Sequence, residues 1–348
     1  MSSHIIIVFI FVLAVALISR RYGLIPIFVS LLWLFSFRTN EIPDTSVYSW
    51  MYEDSMSRMD VNEIGYLYIC NLVNTYAGID LVTFFLIQIA FCLIVWYNIT
   101  KRILTDETDF GMCFLLFVAF YGFFYFGVTT RNALSEILVL CGFGNFLVLK
   151  NKKRYYFYFL FILLASLIHR SAAIFIVLLP ILKSKPSTSL LFRCYFLCVV
   201  FWLLGGAGIS RGIVDEFSKI SLFSKLENYS TSKETVPSML SLQILINLVL
   251  TFVAIAQKKF INEEYRNTYR YFLNLNMIGL VTLSLIWPVP TSYRFYNMFF
   301  FFNYILLYLL IFQNKNFKLR GVKSIMAVFV SIVYFATLIH AFPFMLIY

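Results

Sequence analysis

Long apolar runs recur along almost the whole of this chain, and they restrict what it can fold into more than any other feature. The runs at 4–19, 79–100, 110–128, 132–149 and 324–342 are the plainest. A helix needs roughly 20 such residues to cross the hydrocarbon core of a bilayer. In lipid every backbone N–H and C=O must be satisfied internally, so a run of this kind is read as a helix. Composition agrees: 61% of the 348 residues are hydrophobic and 13% are charged, with mean hydropathy +0.83. A soluble domain carries about 25% charged residues, and its interior would not hide this much apolar surface. The chain reads as an all-α polytopic integral membrane protein.

Twelve segments read as membrane helices: 4–19, 22–37, 79–100, 110–128, 132–149, 155–168, 171–182, 189–209, 238–256, 271–289, 294–312 and 324–342. Segments 155–168 and 171–182 are short, and are expected to form a hairpin with its apex at His169-Arg170, or a re-entrant pair. The first run lacks a basic region before it and is followed by Arg20-Arg21 rather than a small-residue cleavage site, so it is expected to remain as a span. No internal repeat, low-complexity tract or soluble domain stands out, and residues 1–348 read as a single transmembrane domain.

Charge orients the segments. With the N-terminus outside, most of the 28 Lys and Arg fall in cytoplasmic turns, in clusters such as Arg20-Arg21, Lys101-Arg102, Lys150 to Arg154, Lys258-Lys259 and Lys315 to Lys323. Acidic residues lean to the other side. This is the positive-inside pattern, and it accounts for the net charge of +11 without nucleic acid as a partner. Two longer loops then face the periplasm, 38–78 and 210–237. The first ends in a stretch, 63–77, with Asn71, Asn74 and Thr75 at helical spacing, which reads as an interfacial helix. The second carries Ile213, Phe217 and Ile220 on one face and reads as amphipathic.

Ionisable residues at the membrane are costly, and each raises a functional question. In this topology Arg131, His169, Arg170 and Arg294 share one level, the outer boundary, on the same side as the acidic loop that contains Asp44 and Glu63. Arg131 follows Thr129-Thr130 and opens an apolar run. It is either an anchor for the helix end or, with the helix N-terminus, an anion site. Arg294 lies just after Pro288 and Pro290, flanked by Tyr293 and Tyr296, as an interfacial anchor or a second cation for the same anion. His169 is a proton acceptor or a helix-end histidine bonded to backbone. Glu136 lies inside a span and reads as a paired structural acid. The six cysteines have no CxxC spacing and read as small core residues, and there is no Walker, GxSxG, HExxH or Cys/His metal pattern. No metal and no cofactor is expected.

The order of these motifs resembles a family. Asp44-Thr45 and Tyr48 follow the first two segments, and Glu63-Ile64-Gly65-Tyr66 opens the stretch that ends at Gly78. Thr130-Arg131-Asn132-Ala133-Leu134 opens a span, Leu164 to Ala172 reads LASLIHRSA, and Tyr293-Arg294-Phe295-Tyr296 comes late. The pattern, over most of residues 40–310, is similar to the EpsG-type branch of the Wzy O-antigen and surface-polysaccharide polymerases. The resemblance implies a GT-C-like membrane glycosyltransferase in the bacterial inner membrane, with its active site facing the periplasm. Such enzymes transfer a growing glycan from undecaprenyl diphosphate to the non-reducing end of the next lipid-linked repeat unit. On this expectation Arg131, Arg170 and Arg294 hold the diphosphate, and His169, Asp44 or Glu63 supplies a base. Tyr48, Tyr66 and Tyr293 contact sugar. The undecaprenyl-diphosphate-linked oligosaccharide and membrane lipid are the partners, with a chain-length regulator and a flippase expected by family.

Three other readings compete. A flippase for the same lipid-linked unit also suits twelve spans, although transporters often show internal repeats and midplane polar sites. Another membrane transferase, a ligase or an acyltransferase, also places His and Arg near a membrane face. A structural or assembly protein has no need of several cations at one depth.

Overall fold

The computed structural model describes residues 4–18, 28, 31–32, 44–53, 64–104, 110–184, 186–203, 242–286 and 292–341. Every regular element among them is helical, as the long apolar runs predict. The α-helices are α1 (His4–Ile18), α2 (Thr45–Glu53), α3 (Ile64–Asn71), α4 (Leu81–Leu104), α5 (Phe110–Phe117), α6 (Phe123–Gly127), α7 (Thr130–Val148), α8 (Lys153–Ile168), α9 (Ile174–Ser184), α10 (Thr188–Leu203), α11 (Leu242–Gln257), α12 (Arg266–Ile286), α13 (Ser292–Phe300), α14 (Asn303–Phe312) and α15 (Arg320–Ala341). Among the described residues, Leu81–Leu104 and Arg320–Ile339 are long and apolar enough to cross a membrane unaided. Ile6–Leu17, Phe110–Phe120, Arg170–Ile181, Thr188–Phe201 and Tyr296–Phe312 are shorter apolar helical stretches.

Two expected runs are interrupted. The segment at 110–128 is split into α5, a π-helical turn at Val118–Gly122, and α6; the segment at 294–312 breaks at Phe301-Phe302 into α13 and α14. The interfacial helix expected at 63–77 is α3 continued by a π-helical turn, Leu72–Ala77. It ends at Gly78, which has φ 59°, a left-handed conformation that glycine adopts at no steric cost. Most of the segment expected at 22–37, and all of 210–237, lie outside the described residues.

The chain divides into two compact units, Met1–Leu179 with Ile311–Tyr348, and Pro180–Leu310. In the first, α7 and α8 form an antiparallel hairpin through the short turn after Val148, and α4 lies along α7. Gly144 makes that contact possible: a Cβ there would stand 2.5 Å from Ile99 Cγ2 of α4. Close approach at small residues supplies the packing that the hydrophobic effect does not supply between helices in lipid. The fully buried Trp96 of α4 meets Phe114 and Phe117 of α5, with ring centroids 4.9 and 4.7 Å away. α1 and α15 cover α5, with Phe9 and Phe335 stacked on each other.

In the second unit α10, α11 and α13 pack on α12. Its interior holds a group of asparagines. Asn303 Nδ2 donates to Asn247 Oδ1 at 3.2 Å and to Asn276 Oδ1 at 3.4 Å. Asn276 Nδ2 donates to Thr251 Oγ1 at 2.8 Å, and Asn247 Nδ2 to the Tyr296 hydroxyl at 2.8 Å. All five residues are buried. Side-chain amides that bond one another across helices hold the register of segments whose apolar faces are otherwise interchangeable.

Candidate functional site

The N-terminal end of α7 is where the sequence-predicted residues of the first unit gather. Thr129 takes the N-cap position: its carbonyl accepts the Ala133 N–H at 3.0 Å, while its side chain makes no capping bond. The next helical residue but one, Arg131, points at α2. Its guanidinium carbon lies 6.0 Å from the centroid of the Tyr48 ring, and Nη1 donates to Met51 Sδ at 3.7 Å. Tyr48 and Met51 are three residues apart and so share one face of α2. The cation is therefore held over an aromatic face and against a polarisable sulfur, an arrangement worth roughly 0.5–2 kcal/mol for the ring alone. Cys70 of α3 senses the same charge. Burial raises its thiol and Arg131 opposes this by a smaller amount, leaving it pushed up to about 12.

The Tyr48 ring is itself fixed. It meets Tyr66 of α3 and Phe85 of α4 edge-on, each with ring centroids 6.1 Å apart. The Tyr66 hydroxyl donates to Gln88 Oε1 at 3.2 Å, and Gln88 Nε2 donates to the Thr130 carbonyl at 2.7 Å. This chain of bonds runs from α3 through α4 to the first turn of α7, and so fixes the residue next to Arg131. On α2, Tyr52 donates its hydroxyl to the Ile79 carbonyl, and Asn74 Nδ2 donates to the Tyr52 carbonyl at 2.9 Å. Asp80 then starts α4. It accepts the Thr83 N–H at 3.0 Å and the Thr83 hydroxyl at 2.6 Å, which hold its carboxyl below the ordinary aspartate value, the hydroxyl contributing most.

α3 is seated on α8 at Gly65, where a Cβ would stand 2.7 Å from the Leu167 carbonyl oxygen. That contact lies two residues before His169. Ser135, one turn into α7 from Arg131, donates to the Ala165 carbonyl at 3.1 Å, and His169 N–H bonds the same carbonyl at 2.8 Å. The hairpin is antiparallel, so one turn before Ser135 and one turn after Ala165 are the same end. Arg131 and His169 both stand there. His169 is half-buried with extended backbone, and Arg170 follows it, exposed, in a 3-10 turn from Arg170 to Ala173.

Asp44 is exposed and left-handed (φ 69°), and its carbonyl accepts the Tyr48 N–H at 2.9 Å, so it begins α2 one turn before Tyr48. Glu63 lies outside the described residues, immediately before α3. Arg294 and Tyr293 are in the first turn of α13, in the second unit, and their side chains lie outside the described residues. Tyr48 and Tyr66 differ from expectation. They are 2% and 1% exposed, packed among Phe84 and Phe85. Stacking on a sugar needs an open ring face, and here those faces are used to hold Arg131 and α3. Glu136 also differs from the paired acid expected: it is 1% exposed, and among the described residues its Oε2 has no hydrogen-bond partner.

Gln88, Met51 and Gly65 complete the site without having been singled out from the sequence as its residues. Gln88 had a readable signal, a lone amide in the middle of an apolar run. Met51 had none, since methionine is not unusual in its segment, and Gly65 stood in the Glu63-Ile64-Gly65-Tyr66 motif with no role assigned to it. Among the described residues no group of three or more His, Cys, Asp or Glu comes together.

Compared with known proteins, residues 20–348 match the model of the EpsG family. No curated protein and no solved structure matches the chain.

Proposed function

This chain belongs to the EpsG family, and from that premise we propose that it is a membrane glycosyltransferase that polymerises lipid-linked oligosaccharide repeat units on the periplasmic side of the bacterial inner membrane. The observation that carries the reading is the placement of Arg131, held by Tyr48 and Met51 at the same end of a helical hairpin as His169 and Arg170. About twelve spans, a GT-C-like architecture and undecaprenyl diphosphate as the carrier belong to the same proposal.

The chemistry follows from the residues. The bond that breaks joins the anomeric carbon of the growing glycan to the diphosphate of its carrier. The bond that forms joins that carbon to a hydroxyl oxygen at the non-reducing end of the incoming unit. The hydroxyl proton passes to His169, and the electron pair of the broken bond leaves on the diphosphate. A guanidinium offers a planar fork of donors to phosphate oxygens and keeps its charge. Arg131 is prearranged for that role, because its surroundings hold it in place before any anion arrives, and a charge placed in advance is worth most as charge develops. Arg170, beside His169, is the further cation of the proposed clamp. Asp44 and Glu63, on the outer loop before α2 and α3, are the alternative bases.

Deleting the gene in its native strain and running the surface polysaccharide on a gel tests this. Loss of the ladder, with single repeat units still displayed on the outer side, is the expected result. Single units stalled on the cytoplasmic side would make the chain a flippase instead, and an unchanged ladder would remove both readings.

A further inference from the structure

One stripe of α7 carries polar groups that the fold leaves unbonded. Asn132 and Glu136 stand four residues apart, which places them on one side of the helix, and Thr129 is the N-cap residue just before its first turn. The stripe begins at the helix N-terminus and reaches about 10 Å along the axis. Glu136 is 1% exposed, and its Oε2 has no partner among the described residues. The Thr129 hydroxyl is likewise buried without a partner and does not cap the helix. Asn132 is half-buried, and no hydrogen bond of its amide is present among the described residues. The stripe that faces α8 is different: there Ser135 bonds the Ala165 carbonyl at 3.1 Å. Ser171, in the 3-10 turn that packs on α7, is a second buried hydroxyl with no partner among the described residues.

Buried polar groups are normally bonded, and leaving a carboxyl unpaired in an apolar surround costs stability. Two such groups, the Thr129 hydroxyl and Glu136 Oε2, lie on α7 to either side of the half-buried Asn132 and start beside Arg131, which is what a site for a ligand looks like when the ligand is away. The ligand's chemistry is narrowed by the groups themselves. A hydroxyl, an amide and a carboxyl one turn apart offer both donors and acceptors, which suits neutral hydroxyl groups. A cation is disfavoured by Arg131 at the mouth, and a phosphate by Glu136 at the inner end.

We propose that Thr129, Asn132 and Glu136 form a subsite that binds hydroxyl groups of the glycan on the incoming lipid-linked unit. This rests on the polymerase reading. It gives α7 two faces with two tasks: Arg131 for the diphosphate, and the stripe that ends at Glu136 for the sugar.

The test uses the purified full-length protein and lipid-linked oligosaccharide extracted from the native strain, with glycan-free undecaprenyl phosphate as the control. Two quantities are read, the melting temperature with and without each lipid, and the KM of polymerisation. Glu136→Met should melt at a higher temperature than wild type without ligand, lose the stabilisation given by the oligosaccharide, and raise KM by about tenfold, the value of one lost hydrogen-bond pair. Glu136→Gln, which keeps the bonding groups, should stay near wild type. Asn132→Ala, at the outer end, should raise KM in the same way and serves if Glu136→Met does not fold. A Glu136→Met protein with lower melting temperature and unchanged KM would overturn the subsite and make Glu136 a structural residue. Equal stabilisation by the glycan-free lipid would also overturn it. Wild type that is stabilised by the oligosaccharide but does not polymerise it would leave the subsite standing and remove the polymerase reading.

Discussion

The side-chain amide of Gln88 donates a 2.7 Å hydrogen bond to the main-chain carbonyl of Thr130. The same side chain accepts from the Tyr66 hydroxyl at 3.2 Å. One glutamine in the middle of a membrane helix thus connects the helix before it to the start of the helix that carries Arg131. Gln88→Leu keeps the volume and removes both bonds. Each lost bond of this kind costs about 0.5–1.5 kcal/mol. A lower melting temperature and a fall in polymerisation rate at matched expression are the expected outcomes. Unchanged values for both would mean that Arg131 is positioned without this chain of bonds.

Gly65→Ala tests the seating of α3 on α8. The added methyl would stand 2.7 Å from a backbone oxygen, that of Leu167, which has no rotamer by which to move aside. Overpacking of this kind typically costs about 1–3 kcal/mol. Because the contact lies next to His169, activity should fall along with stability. A thermal melt and a polymerisation assay on the same preparation check both.

The asparagine group of the second unit gives a different expectation. Asn303→Leu removes bonds to Asn247 and Asn276 and leaves their carbonyl oxygens buried. Interhelical bonds in membranes average about 0.6 kcal/mol and reach about 1.7 kcal/mol, so a modest drop in melting temperature is expected. The double substitution Asn247→Leu with Asn303→Leu should cost less than the two single ones added together, since they share a bond.

Asp80 supplies a pH dependence. Its carboxyl is held below the ordinary value of 3.8, first by the Thr83 hydroxyl and then by the Thr83 N–H. A depressed aspartate adds stability above its unfolded value, and that stability is lost as pH falls through the folded value. Asp80→Ala should therefore melt lower than wild type at neutral pH, and the two curves should converge as pH drops below 3.8.

Much of this architecture was legible in the sequence because apolar period and length are physical requirements of a helix in lipid. The helices α1, α4, α7, α8, α11, α12 and α15 stand within a few residues of the runs that predict them. The breaks at Val118–Gly122 and Phe301-Phe302 were not legible, since the residues there are as apolar as their neighbours and only packing interrupts the helix. Arg131 and His169 were legible as costly groups at one level. The burial of Tyr48 and Tyr66 was not, because tyrosine carries an apolar body and a polar tip and serves equally well at a surface or beneath it. Gln88, Asn247, Asn276 and Asn303 each read alone as tolerated amides. Their meaning lies in what they bond to, which sequence spacing across different helices does not contain.

If this chain polymerises lipid-linked repeat units with Arg131 stabilising the leaving diphosphate, Arg131 acts in the step that breaks the bond to the carrier. The most direct measurement is a single-turnover assay with the purified protein in lipid and native lipid-linked units, comparing wild type with Arg131→Ala at equal folded concentration. Wild type should join units into a ladder without added nucleotide. Arg131→Ala should slow that step by about 10²–10³, the usual loss when one donor to a developing charge is removed. A ladder formed by Arg131→Ala at the wild-type rate, or single units left unjoined by wild type, would contradict the account.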